Sequence, residues 1–174
     1  MHSWAQPTLQ DPDLIPVSIL PVQVSVTSPQ ITMNRKKILV VDDNAIILKT
    51  LTMKLQASGY DVLTAEDGAV AVSTARQERP DVILLDIVFP PDVAHGGGVP
   101  WDGFLIMGWL KRMEEAKNIP IIVITGGRPE EYKARSIAAG AVGFVQKPIN
   151  FDELLTAIRQ ALVEDAAPGQ APAA

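Results

Sequence analysis

The chain has 174 residues, 47% of them hydrophobic and 20% charged, which is enough apolar material for the buried core of one domain. Its formal net charge of -5 disfavours general nucleic-acid binding, because phosphate contacts require an excess of Lys and Arg. The chain contains no cysteine, which excludes disulfides, thiolate metal sites and thiol nucleophiles, and it has no apolar run long enough to span a membrane.

The beginning and end of the chain differ in composition from its middle. Residues 1–34 contain no Lys or Arg and are rich in proline, while residues 22–26 alternate apolar and polar side chains as a strand does. An unstructured arm and an added strand both remain open for this segment, and Met33 is an alternative start of the protein. We predict an N-terminal extension at 1–34, a domain at 35–163 and a flexible tail at 164–174.

The first half of the central region predicts strands and helices in alternation. Continuous apolar runs that end in acidic residues are typical of strands buried on both faces of a sheet. Apolar residues at helical spacing precede Gly59, a helix stop signal, and the next helix ends before Pro80. The predicted elements are strands at 38–41, 61–64 and 82–85 and helices at 47–55 and 69–78.

The second half continues the same alternation after a stretch rich in proline and glycine at residues 89–100. Pro129 suits the first turn of a helix, and Asn150 with Glu153 suits a helix N-cap and capping box. The predicted elements are helices at 102–115 and 129–140, strands at 119–124 and 141–145, and a last helix carrying Leu154, Leu155, Ile158 and Leu162 on one face.

Five strands alternating with five helices predict an α/β fold, with a doubly wound parallel sheet and right-handed crossovers. In such sheets, ligands bind beyond the carboxyl ends of the strands. The polar residues that follow the predicted strands are Asp42, Asp43, Asp86, Thr125 and Lys147. A single acid after a strand is often a helix N-cap, but five such residues at one sheet edge favour a functional site.

Three carboxylates at one edge repel each other, so they predict a bound cation, and Mg²⁺ is the predicted ion because it prefers oxygen ligands. Lys147 and Thr125 beside them could bind an anion that rests on the metal. Metal, lysine and hydroxyl around a carboxylate predict a nucleophilic aspartate that accepts a phosphoryl group.

Four segments together resemble the receiver domain of two-component response regulators. They are Ile38 to Asn44, Ile83 to Ile87, Ile122 to Thr125, and the Lys147-Pro148 pair. The resemblance covers about residues 36–163, nearly all of the regular pattern. It implies a flavodoxin-like sheet with strand order 2-1-3-4-5 and a single-domain, cytoplasmic response regulator.

The resemblance also implies roles for individual residues. Asp86 would be the phosphoacceptor, Lys147 would pair with the phosphoryl oxygens, and Thr125 would hydrogen-bond one of them. The implied magnesium ligands are Asp42, Asp43, Asp86 and the backbone carbonyl of Val88.

Further implications of the resemblance concern conformational change. Phe144 stands where the family has its rotating aromatic switch, and Lys147-Pro148 matches the usual cis peptide of the family. Phosphorylation would remodel the face formed by helix 4, strand 5 and helix 5, to which an unidentified downstream protein would bind. A histidine kinase or histidine phosphotransfer protein would donate the phosphoryl group. The chain would catalyse only its own phosphorylation and slow dephosphorylation, without binding nucleic acid or inserting into a membrane.

The chain departs from the family pattern after Asp86. The Asp102-Gly103 pair that opens the third helix comes late after Asp86, so the loop at 87–101 carries an insertion. Its prolines and the Gly96–Gly98 run predict either a plain surface loop or a hinged flap over the site, with His95 able to titrate near neutral pH.

Two other functions fit these residues less well than that of a receiver. A haloacid-dehalogenase-like phosphatase needs a second acid two residues after its nucleophile, but position 88 is Val. A nucleotide-binding module needs a glycine-rich loop after the first strand, where this chain has Asp-Asp-Asn-Ala. The phosphatase is retained as the alternative hypothesis.

Overall fold

The computed structural model describes residues 35–88 and 102–165, which form a five-stranded parallel sheet with helices on both faces. The strand order is β2-β1-β3-β4-β5, so the predicted doubly wound fold and its strand order are confirmed. The elements are β1 (Lys37–Val41), α1 (Ala45–Ala57), β2 (Asp61–Ala65), α2 (Gly68–Glu78), β3 (Val82–Leu85), α3 (Gly103–Leu110), β4 (Ile121–Thr125), α4 (Pro129–Ala138), β5 (Gly143–Gln146) and α5 (Phe151–Asp165).

The sheet has a buried face on each side because alternate residues of its central strands point in opposite directions. One face packs against α1 and α5 through Leu51 and Leu154, and the other packs against α2 and α3 through Ala71 and Met107. All four residues of β3 are fully buried, as the continuous apolar run at 82–85 predicts. Burial on both faces fixes the directions in which the strands deliver the residues that follow them.

Helix ends follow the predicted signals where side chains or glycine supply the cap. The side chain of Asn44 accepts hydrogen bonds from the backbone N–H groups of Ile46 and Ile47, at 2.9 and 3.4 Å. Asn150 likewise accepts from the N–H of Glu153 at the start of α5. Gly59 follows α1 with a φ of 91°, in the left-handed region that glycine adopts without strain.

The prediction that the third helix runs to residue 115 was wrong, because α3 ends at Leu110. The side chain of Arg112 donates a hydrogen bond of 2.9 Å to the carbonyl of Gly108, the acceptor that its own N–H would use in a continued helix. Tighter turns follow, in which the N–H of Met113 donates to the carbonyl of Leu110 at 3.2 Å. These turns bring Ala116 into the core.

The other predicted borders shift by a few residues. Strand β4 begins at Ile121 and not at residue 119, because Pro120 has no N–H for the ladder, although its carbonyl accepts from Ile83 at 3.0 Å. Helix α5 continues to Asp165, past the predicted domain end at residue 163. The extension, the start at Met33 and the flap with His95 lie outside the described residues. None of the described helices has the length and apolar character to cross a bilayer.

Candidate functional site

The predicted acidic cluster forms at the carboxyl edge of the sheet. Asp42 follows β1 and Asp86 follows β3, and both side chains are buried, whereas Asp43 is exposed. Carboxylate oxygens of the three residues lie within 4.8 Å of one another. The two buried carboxylates therefore face a shared space with one that is open to solvent.

Backbone hydrogen bonds explain why the two buried aspartates stand in register. The N–H of Asp42 donates to the carbonyl of Ala65, and the N–H of Asp86 donates to the carbonyl of Val41, at 3.1 and 2.9 Å. Each aspartate thus continues the parallel ladder one residue beyond its strand. Parallel strands paired in this way bring their ends to the same side of the sheet.

Each buried carboxylate is also oriented by the turn that follows it. Oδ1 of Asp42 accepts from the N–H of Asn44, and Oδ1 of Asp86 accepts from the N–H of Val88, both at 2.9 Å. The N-cap of α1 is Asn44, and not either of the aspartates before it. The helix-cap interpretation of Asp42 and Asp43 therefore does not hold for α1.

Lys147 joins the cluster from the end of β5. Its Nζ atom donates to Oδ2 of Asp42 at 2.6 Å and to Oδ2 of Asp86. Its backbone N–H donates to the carbonyl of Thr125 at 2.8 Å, and the Lys147-Pro148 peptide bond is cis. Thr125 is fully buried, and its Oγ1 accepts from the N–H of Gly127 at 3.2 Å. The structure thus brings the five residues predicted at the strand ends into one neighbourhood.

The electrostatics of the cluster reflect burial and charge together. Burial raises the pKa of the Asp86 carboxyl above its ordinary value, against the opposing hydrogen bonds from Lys147 and from the N–H of Val88. Burial alone would lower the pKa of Lys147, but its hydrogen bonds to Asp42 and Asp86 outweigh that effect and raise it. Lys147 is therefore a cation held by two carboxylates.

The donor set fits a hard divalent cation. Three carboxylates and one ammonium leave a net charge of about -2 when all four groups are ionised, which matches an ion such as Mg²⁺. The exposed Asp43 and the open side of the cluster leave room for water ligands, which Mg²⁺ retains in proteins. Val88 lines the same cleft.

The cluster opens into a cleft of about 460 Å³. Its lining also includes Gly127 and four residues to which the sequence assigned no role in the site, namely Asn44, Ile47, Gly126 and Tyr132. The signal for Tyr132 was weak: an aromatic residue on the first turns of the helix that follows β4, after a Gly-Gly pair. Periodicity cannot show that such a ring faces the strand ends.

Phe144 lies on β5 outside this group. It pairs in register with Val123 of β4 and is half-buried against the core face that packs on α2 and α3. Thr125 comes two residues after Val123, so its side chain points to the same face of the sheet as Phe144. The two residues predicted as a switch are therefore neighbours on one side of the sheet.

An apolar groove adjoins the cleft. It has a volume of about 310 Å³ and lies between α1 and the segment that connects β5 to α5. Ile46, Lys54, Pro148 and Phe151 contribute to its walls, and Ile46 is 76% exposed. A protein that reaches the acidic cleft from this side would cover apolar surface.

A 2-1-3-4-5 parallel sheet with carboxylates after β1 and β3 and a lysine after β5 defines the class of receiver-like α/β domains. The family model described as the response regulator receiver domain matches residues 38–159. The chain belongs to this family, whose members act in two-component signalling and typically carry an aspartyl phosphate and bind Mg²⁺. The match favours a receiver and lends no support to the phosphatase alternative.

Individual relatives agree with this assignment. Protein PilH of Pseudomonas aeruginosa is 36% identical over 126 residues, which span 72% of this chain and 97% of PilH. The polar-differentiation response regulator DivK of Brucella anthropi is 30% identical and covers 73% of this chain and 96% of its own. The match to the probable transcriptional regulatory protein TcrX of Mycobacterium tuberculosis, at 30% identity, spans only 49% of that protein.

Solved structures show the same architecture. The chemotaxis protein CheY4 of Vibrio cholerae superposes with a TM-score of 0.64 at 33% identity, covering 74% of this chain and 99% of CheY4. A CheY-like receiver domain protein of Methanospirillum hungatei superposes with a TM-score of 0.67 at 27% identity, covering 78% and 99% of the two chains.

Proposed function

We propose that this chain accepts a phosphoryl group on Asp86 from a histidine kinase or a histidine phosphotransfer protein. The observation that carries the proposal is the position of the Asp86 carboxylate. It is buried at the base of an open cleft, oriented by the N–H of Val88 and bonded to the ammonium of Lys147. A carboxylate held in this way can attack a phosphorus atom that enters from the cleft.

The transfer step forms one bond to phosphorus and breaks another. An oxygen of the Asp86 carboxylate attacks the phosphorus of a phosphohistidine, an acyl phosphate bond forms, and the phosphorus–nitrogen bond breaks. The imidazole of the donor leaves with the bonding electron pair. Lys147 supports the transfer by shifting hydrogen bonds from the carboxylates to the phosphoryl oxygens, whose negative charge takes the place of the charge lost on Asp86.

A bound Mg²⁺ would be held by Asp42, Asp43, Asp86 and the carbonyl of Val88. When bound, it would supply positive charge that stabilises the phosphoryl oxygens as they transfer. Asp42 also holds Lys147 in place through its 2.6 Å contact with Nζ. The N–H of Val88 and the ammonium of Lys147 position the reacting carboxylate. The chain acts only on itself, as a signalling protein and not as an enzyme with a separate substrate.

The apolar groove beside the cleft supports a protein as the physiological donor. A phosphohistidine is carried on a protein surface, which must pack against the receiver while the phosphoryl group reaches Asp86. Ile47 and Lys147 line both the groove and the cleft, so a protein bound in the groove lies at the mouth of the site. We propose that the donor docks here, in the cytoplasm, where kinases obtain phosphoryl groups from ATP.

The output of the chain is proposed to be a surface change at α4, β5 and α5. Thr125 would turn toward the phosphoryl group and exchange its bond with the N–H of Gly127 for a bond to a phosphoryl oxygen. Phe144 would then move on the same face of the sheet, which alters the surface offered to a downstream protein. Direct binding to nucleic acid is no part of the proposal, in keeping with the net charge of -5.

Labelling with a small phosphodonor tests the proposal. Acetyl phosphate with Mg²⁺ should add one phosphoryl group to the wild-type chain, detected by intact mass. Asp86→Asn should abolish the addition, whereas the matched control Asp61→Asn, at the far end of β2, should be labelled normally. Persistent labelling of Asp86→Asn would place the phosphoacceptor elsewhere and contradict the proposal.

We further propose that residues 35–163 suffice for this function, with 1–34 as an extension and 164–174 as a tail. A chain that begins at Met33 should fold and accept the phosphoryl group at the wild-type rate. An insoluble or unlabelled product would show that the extension belongs to the domain.

A further inference from the structure

A tyrosine ring occupies the space beside Gly127 in the lining of the cleft. A β-carbon added at Gly127 would lie 2.2 Å from Cε2 and 2.4 Å from Cδ2 of Tyr132, so the ring rests directly on the glycine backbone. Tyr132 also lines the cleft together with Asp86 and Lys147. The loop after β4 therefore contributes no side chain at position 127, and a ring from α4 stands in that place.

Neighbouring side chains hold the Tyr132 ring in position. It stacks on Phe104 of α3, with ring centroids 6.4 Å apart and an interplanar angle of 24°. The guanidinium of Arg135 lies 3.7 Å from the centroid of Phe104 and 3.9 Å from a carboxylate oxygen of Asp102, the N-cap of α3. The ring is thus anchored to the helix that begins next to the Asp86 segment.

We propose that the Tyr132 ring is a wall of the cleft that slows hydrolysis of the acyl phosphate by excluding water. This inference rests on the proposed phosphorylation of Asp86 and adds a residue that sets how long the phosphorylated state lasts. The carbon edge of the ring offers no base to activate water, and the described part of the cleft near it contains two glycines that offer none either.

The reaction that the ring opposes is the attack of water on phosphorus. The water oxygen forms a bond to phosphorus on the side opposite the Asp86 oxygen, and the bond between phosphorus and that oxygen breaks. The Asp86 carboxylate leaves with the electron pair, and the proton lost by water passes to inorganic phosphate or solvent. Attack needs a water molecule in line with the breaking bond, and a ring in the wall of the cleft reduces the room for it.

The test compares acyl phosphate lifetimes after labelling with acetyl phosphate and removal of the donor. Tyr132→Ala should shorten the lifetime about tenfold, the effect of removing a barrier of about 1.4 kcal/mol. Tyr132→Phe, which keeps the ring, should retain the wild-type lifetime. Tyr60→Ala truncates the other tyrosine of the chain, at the start of β2, and should also leave the lifetime unchanged.

The outcomes distinguish a failure of the proposed Tyr132 role from a failure of the proposed phosphorylation of Asp86. Labelled wild type with an unchanged lifetime in Tyr132→Ala overturns the inference alone, and so does an equal shortening in Tyr60→Ala, which would indicate general destabilisation. Wild type that takes no label overturns both. If Tyr132→Ala fails to fold, Tyr132→Leu preserves apolar packing with a shorter side chain, and the inference then requires a lifetime shorter than that of wild type.

Discussion

Gly103 lies against the backbone of Asp86. A β-carbon added at Gly103 would be 2.6 Å from the carbonyl oxygen of Asp86 and 2.4 Å from Cα of Ile87. The N–H of Gly103 donates to the carbonyl of Ile87 at 3.2 Å, so α3 starts in direct contact with the segment that carries the proposed phosphoacceptor. Any larger residue at this position must push the helix away from the site.

Gly103→Ala is therefore predicted to destabilise the protein by about 1–3 kcal/mol through overpacking against backbone that cannot move aside. Gly108→Ala is the matched control in the same helix, because its β-carbon would meet only the end of the flexible Arg112 side chain, at 3.4 Å. That change should be neutral or stabilise by up to about 1 kcal/mol, since alanine favours helix over glycine. Urea denaturation measures both, and equal effects would contradict the close approach at Gly103.

Mg²⁺ is predicted to stabilise the fold by binding the native cluster of carboxylates. A ligand present at one hundred times its Kd adds about 2.7 kcal/mol to the free energy of unfolding. Asp43→Asn removes one carboxylate from the cluster and should reduce the rise in Tm caused by Mg²⁺. Asp61→Asn removes an exposed aspartate at the opposite end of the sheet and should preserve the rise. The prediction fails if the two variants respond alike.

Asp86 is predicted to make the stability of the metal-free protein depend on pH. Burial raises its pKa in the folded state above the ordinary value of 3.8, so the folded state holds the proton more tightly than the unfolded state. Stability should therefore fall as the pH rises from 3.8 through the raised pKa, because the buried carboxylate must then lose its proton. Asp86→Asn should lack this component.

The measurement is urea denaturation in the presence of a chelator, for wild type and Asp86→Asn, from about pH 4 to about pH 7. The free energy of unfolding of wild type, relative to that of Asp86→Asn, should fall as the pH rises. A constant difference, or one that favours wild type at higher pH, would contradict a raised pKa for Asp86.

A charge placed in the apolar groove is predicted to slow phosphotransfer from a protein donor but not from acetyl phosphate. Ile46 is 76% exposed, so Ile46→Glu should leave the fold intact while it places a charge in the groove. Phosphotransfer from a histidine kinase found to label the wild-type chain should slow about tenfold or more, as loss of a central interface contact does. Labelling by acetyl phosphate should stay at the wild-type rate.

Met53→Glu serves as the control for the groove. Met53 lies on the same helix and is 62% exposed, but it borders a different hollow beside β2. This variant should accept the phosphoryl group from both donors as wild type does. Equal slowing of phosphotransfer from the kinase in the two variants would show that the donor does not dock specifically in the groove.

Much of the fold and of the site could be predicted from the sequence, because both depend on local patterns. Apolar runs such as residues 82–85 have the length and composition of strands buried on both faces, and Gly59 and Asn150 mark helix borders. Parallel strands end at one edge, so the positions of Asp42, Asp86 and Lys147 after their strands already predicted that the three side chains meet.

Other features were decided only by contacts between elements far apart in the chain. Lys147 and Asp42 are separated by 105 positions, and only the packed sheet shows that one ammonium serves both Asp42 and Asp86. At the end of α3 the Arg112 side chain donates to the carbonyl of Gly108 and tighter backbone turns follow, contacts that periodicity does not encode. The Tyr132 ring faces the cleft because α3 supplies Phe104 beside it and Gly127 leaves the space open, a relationship that exists only once α3, α4 and β4 have packed together.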